Sequence, residues 1–89
     1  MIKIIWDEGF KRKYKKIIKN NLNLRDKFWE LTYLFEKEPF DNRLKTHKLT
    51  GKLKGLWAFR IDYDCRVVFK FINSNEVLFI DIGGHDEVY

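Results

Sequence analysis

Arg60, Arg66, His47, His85 and Asp64 are the side chains whose types and spacing could act together on a phosphodiester in this 89-residue chain. Arg60 and Arg66 stand in LWAFRIDYDCRVVFK, each within a segment whose alternate positions are strongly apolar. That alternation predicts two strands with both guanidinium groups on the face opposite the hydrophobic one. Two guanidinium groups fixed on a sheet can grip a phosphate by paired hydrogen bonds and stabilise charge building up on it. They could equally form cross-strand ion pairs with Asp62, Asp64 or Asp81, worth only about 0–1 kcal/mol each when exposed. Spacing alone leaves both uses open.

The histidines supply the other half of such a site. His85 follows two glycines and precedes Asp86 and Glu87, whose charges favour the imidazolium, and histidine is the natural proton donor near neutral pH. His47 lies among lysines in THKLTGKLKG and gains meaning only if that loop folds over the strand carrying Arg60. Taken singly, His85 also reads as a solvated terminal side chain and His47 as a weak signal. Together, a base, an acid and an arginine clamp are the minimum for attack of a ribose 2′-OH on the neighbouring phosphate. No metal and no cofactor are expected, since two histidines and one cysteine make a poor ligand set. The chain also lacks a phosphate-binding loop, a serine nucleophile elbow and a zinc-finger pattern.

Residues 2–6, IKIIW, predict a short strand, and Asp7 a helix N-cap. Phe10, Tyr14, Ile17 and Ile18 recur at helical spacing, with Asn20 and Asn21 ending that helix. A second helix is expected from about Leu24 to Lys37, its apolar side made by Leu24, Phe28, Leu31 and Phe35, stopped by Pro39. Residues 40–55 show no usable period and read as a surface loop. Three strands follow over Leu56–Ile61, Cys65–Ile72 and Glu76–Ile82, separated by Asp62-Tyr63-Asp64 and Asn73-Ser74-Asn75. The expected class is α+β in two layers: β-α-α-β-β-β, a mainly antiparallel twisted sheet packed on a helical hairpin. At this length residues 1–89 are expected to form one domain.

The formal charge of +5 is unevenly placed. Lys11, Arg12, Lys13, Lys15, Lys16 and Lys19 form one block without acids, and Arg43, Lys45, Lys48, Lys52 and Lys54 form another, whereas residues 71–89 hold no Lys or Arg. Nucleic acid is the most economical partner for such a basic side, because phosphate contacts release counterions. Plain solubilisation of a helix and a loop is the alternative. A lone Cys65 suits a reducing cytoplasm, the N-terminus does not read as a secretion signal, and no apolar run approaches a membrane span.

In HKLTGKLKGLWAFRIDYDCRVVFKF and VLFIDIGGHDEVY the sequence resembles the RelE/ParE superfamily of type II toxin–antitoxin toxins, most closely its YafQ-like branch. The likeness extends over nearly the whole chain in element order. It implies a ribosome-dependent endoribonuclease that cuts mRNA and halts translation. His47 then matches a loop histidine, Asp64 a turn aspartate, Arg66 the arginine acting on the scissile phosphate and His85 the proton donor for the leaving oxygen. Tyr89 matches a terminal aromatic that stacks on a base. Arg60 departs from the branch, which often has another histidine there, so the division of acid, base and phosphate roles stays open. Substrate contacts would come from Lys45, Lys48, Lys52 and Lys54, and ribosome contacts from the block spanning residues 11–19. The implied partners are a cognate antitoxin, the ribosome with its rRNA, and mRNA. The free toxin would be a monomer and the antitoxin complex a hetero-oligomer. A ParE-like gyrase-binding toxin without nuclease activity and a non-catalytic RNA-binding module remain as alternatives.

Overall fold

A computed structural model of the chain describes residues 1–84 and residue 88. The chain enters through β1 (Lys3–Trp6). The Asp7 carboxylate then accepts a hydrogen bond from the Gly9 amide at 2.9 Å and caps α1 (Glu8–Ile18). Asn21 repeats the device for α2 (Leu22–Lys37), its side chain accepting from the Leu24 amide at 3.0 Å. Because Asn21 is the cap rather than a spacer, the helix begins at Leu22 instead of near Leu24. Pro39 lies just beyond its end, as expected.

The sheet has strand order β1-β5-β4-β3-β2, where β2 is His47–Lys48, β3 is Trp57–Asp62, β4 is Cys65–Asn73 and β5 is Glu76–Gly83. All neighbouring pairs are antiparallel except β1 with β5, which the two intervening helices allow to run parallel. The result is the expected α+β arrangement, two helices on one face of a mainly antiparallel sheet. Among the described residues no helix is long and apolar enough to cross a membrane.

Aromatic rings fill the space between the layers. Phe35 of α2 stacks on Phe59 at 4.6 Å and meets Phe69 edge-on at 4.9 Å, while Trp6 meets Tyr14 at 5.0 Å and Phe28 at 5.6 Å. The two helices are tied by Tyr14 against Phe28 at 4.7 Å and by the Trp29 indole N–H, which donates to the Tyr14 hydroxyl at 2.8 Å. In β5 strict alternation breaks. Phe69 pairs with Phe79 but Val68 with Asp81, so Ile80 is an extra residue, and Phe79 and Ile82 both reach the core although three positions apart.

Residues 40–55 depart from the expected featureless loop. They hold a 3₁₀ turn at Asn42–Leu44, a two-residue edge strand β2 (His47–Lys48) paired with β3, and a second 3₁₀ turn at Gly51–Leu53. Short irregular pieces carry no period, which is why pattern reading passed them over. Their leucines are nonetheless structural. Leu44 is fully buried in the main core, and Leu49, with Leu53 and Leu56 beside it, packs on Ala58, Val68 and Val88 on the face away from the helices.

Candidate active site

Arg60 of β3 and Arg66 of β4 are direct cross-strand partners, and Arg66 is in turn opposite Gly83 of β5. Directly paired residues project to the same side, so both guanidinium groups share one face with Cα atoms roughly 5 Å apart. Glycine at 83 puts no side chain next to Arg66 in that row. The hairpin between β3 and β4 turns through Tyr63 and Asp64 alone, because Asp62 still belongs to the strand. The Asp64 carboxylate lies against Gly84, where a β-carbon would come 3.1 Å from Oδ1 and 3.2 Å from Oδ2. Asp64 therefore sits beside the end of β5, and His85 is the next residue in the chain. His85 and Tyr89 themselves lie outside the described residues.

Two of the three acids that could pair with the arginines, Asp62 and Asp81, bind lysines of the helices. Asp62 Oδ1 accepts from Lys27 Nζ at 2.9 Å and from the Tyr63 amide at 2.8 Å, and Asp81 Oδ1 accepts from Lys13 Nζ at 2.6 Å. The Lys27 hydrogen bond, followed by that of the Tyr63 amide, holds the Asp62 carboxyl below the usual carboxylate range. Arg60 Nε donates to the Asp62 carbonyl rather than its carboxylate, at 3.3 Å, and its guanidinium carbon lies 5.8 Å from the centre of the Tyr63 ring.

His47 reaches the same face by a route that only the edge strand provides. It pairs with Ala58, two positions along β3 from Arg60, so its ring stands on the arginine side of the sheet. The strand rise and spacing put it roughly 8 Å from Arg60, Cα to Cα. Ala58 and Val68 lie between histidine and arginines on that face and are buried in the cluster with Leu49 and Val88. His47 Nδ1 lies 2.8 Å from the Lys45 carbonyl. A carbonyl only accepts, so Nδ1 carries the hydrogen, and the lone pair of the neutral ring is on Nε2.

The lysines divide. Lys45, Lys48, Lys52 and Lys54 are all exposed, but Lys48 alternates with His47, pairs with Trp57 and holds its ammonium 5.4 Å from that ring on the helical side. On α1, Lys11 meets Glu8 at 3.4 Å and Lys13 is drawn onto Asp81, whereas Arg12, Lys15, Lys16 and Lys19 are exposed. Sequence reasoning passed over Tyr63, 82% exposed at the hairpin tip beside Arg60 and Asp64. An aromatic residue between two turn aspartates was the signal available, since a turn gives such a ring nothing to pack under.

Residues 2–89 match the family described as bacterial toxin of type II toxin-antitoxin system, YafQ. Among solved structures, the YoeB/ParE toxin from Agrobacterium tumefaciens is 21% identical with a TM-score of 0.78, over 94% of this chain and 99% of that one. YafQ from E. coli strain BL21(DE3) is 18% identical with a TM-score of 0.75, over 100% of this chain and 99% of that one. A chain of the YoeB-YefM complex from Staphylococcus aureus is 22% identical with a TM-score of 0.75, over 96% of this chain and 98% of that one. At these identities the structural likeness concerns the fold. No curated protein matches the sequence.

Proposed function

Because this chain belongs to the YafQ family, bacterial toxins of type II toxin–antitoxin systems, we propose that it is a ribosome-dependent endoribonuclease that cleaves mRNA. The observation that carries this reading is the row Arg60–Arg66–Gly83, with His47 on the same face and Asp64 against Gly84. The guanidinium groups hold the scissile phosphate and stabilise the charge that grows on its non-bridging oxygens. A base, His47 through Nε2 or Asp64, takes the proton of the 2′-OH. The 2′-oxygen bonds to phosphorus, the P–O5′ bond breaks, and His85 delivers a proton to the departing O5′. The products are a 2′,3′-cyclic phosphate and a 5′-OH. These steps need only proton transfer and charge stabilisation, so toxin stripped with a chelator is expected to remain active.

The surface of α1 and the loop around β2 would contact ribosomal RNA. A cognate antitoxin would bind and neutralise the toxin, by analogy with the complex solved for its Staphylococcus relative. A translation extract programmed with a defined mRNA tests the whole reading. Cleavage only when ribosomes are present is expected, with no cutting of a DNA copy that lacks the 2′-OH. Inhibition of supercoiling by gyrase without RNA cleavage would replace it with the gyrase-binding alternative.

A further inference from the structure

Where the β2–β3 ribbon ends, a cleft of about 420 Å³ opens, lined by Lys48, Leu49, Lys54, Leu56 and Trp57 together with the glycines at 51 and 55. That volume falls in the usual range of small-ligand sites, about 300–1,000 Å³. Its walls come from both sides of the sheet. Lys48 and Trp57 pair on the helical side, whereas Leu49 and Leu56 join the apolar cluster on the arginine side. The cleft therefore wraps the same sheet edge from which His47 looks onto the arginines.

Its chemistry is one-sided. No described residue lining it is acidic, and residues 42–61 hold six Lys or Arg and no Asp or Glu. Two ammonium groups over an apolar wall with an indole suit a ligand that is anionic at one end and a flat apolar ring at the other. Gly51 (φ +65°) and Gly55 (φ +95°) bring bare backbone to the rim, with no atom of the described residues within 4 Å of where a β-carbon would stand. An inorganic anion would use the lysines and leave the Leu49–Leu56–Trp57 wall bare.

We infer that this cleft binds one nucleotide of an RNA chain, its phosphate between Lys48 and Lys54 and its base against Leu49, Leu56 and Trp57. The inference deepens the proposed function and rests on it for the source of the nucleotide. An RNA strand crossing the arginine face and passing the β2 edge would place a residue flanking the cut in the cleft, where its base is sampled.

The whole ¹⁵N-labelled chain is titrated by NMR with inorganic phosphate, adenosine 3′-monophosphate, a 2′-O-methyl RNA trinucleotide and a glutamate-rich peptide. Saturable shifts of the Trp57 indole N–H and of the amides from Lys48 to Gly55 with both nucleotides are expected. Lys54→Gln should weaken them about ten-fold, while inorganic phosphate leaves Trp57 unmoved. An equal response to inorganic phosphate would reduce the cleft to an anion site and overturn the inference. So would occupation by the acidic peptide in preference to the nucleotides. If RNA is cleaved but the trinucleotide moves only residues near Arg60 and Arg66, the cleft assignment falls and the proposed function stands. If no RNA is cleaved yet adenosine 3′-monophosphate shifts Trp57, the cleft stands and the proposed function falls.

Discussion

Arg66 makes the sharpest single-residue test, because lysine keeps its charge and removes its fork. If the paired guanidinium groups hold the phosphate in two directions, Arg66→Lys should lower cleavage about ten-fold or more in a ribosome-programmed assay and leave the unfolding midpoint close to wild type. Wild-type rates in that variant would show that position 66 supplies only positive potential. A second residue test concerns stability alone. Thr32 is buried in α2, and its hydroxyl oxygen has no hydrogen-bond partner among the described residues. Leaving such a group dry costs about 1–3 kcal/mol. Thr32→Val preserves shape and removes the polar atom, so urea unfolding should show a gain of about 1 kcal/mol.

At the scale of elements, the β3–β4 hairpin is tethered to α2 through Lys27 and Asp62. The pair is exposed, so about 0–1 kcal/mol is the expected contribution. Its pH dependence has a definite sign. The Asp62 carboxyl titrates below its unfolded value, so its contribution is complete above about pH 4 and is lost as pH falls through the lowered folded value. Lys27→Met should raise the Asp62 titration seen by NMR. It should also open a stability gap to wild type that is present at neutral pH and closes in strong acid. A gap unchanged at low pH would mean that Lys27 acts by packing. The Lys13–Asp81 ion pair is the corresponding tie between α1 and β5.

For the molecule as a whole, charge placement decides what the basic surface can do. Arg12, Lys15, Lys16 and Lys19 are exposed on α1, whereas Lys13 is engaged with Asp81. Neutralising Lys15, Lys16 and Lys19 to Gln should weaken ribosome binding and flatten its salt dependence, by close to one unit of slope for each phosphate that the lysines no longer neutralise. Lys13→Gln should act on stability before affinity. Filter binding across a salt series separates the two, and an unaltered slope in the triple variant would leave those lysines as solubilising charge.

Apart from β2, the order of strands and helices along the chain, the cap at Asp7 and the stop before Pro39, and the side of the sheet taken by Arg60 and Arg66 were legible from the sequence. Local periodicity and capping chemistry determine them, and neither needs a distant partner. The Arg60–Arg66 register was partly legible, since a short turn between two alternating strands leaves little freedom in pairing. What only the tertiary structure decided are the pairings made across long sequence separations. Lys13 meets Asp81, Lys27 meets Asp62, and Asp64 rests against Gly84. His47 and Lys48 part to opposite faces because a two-residue strand found an edge to pair with. A stretch that short has no period of its own, so its direction comes entirely from the sheet it joins.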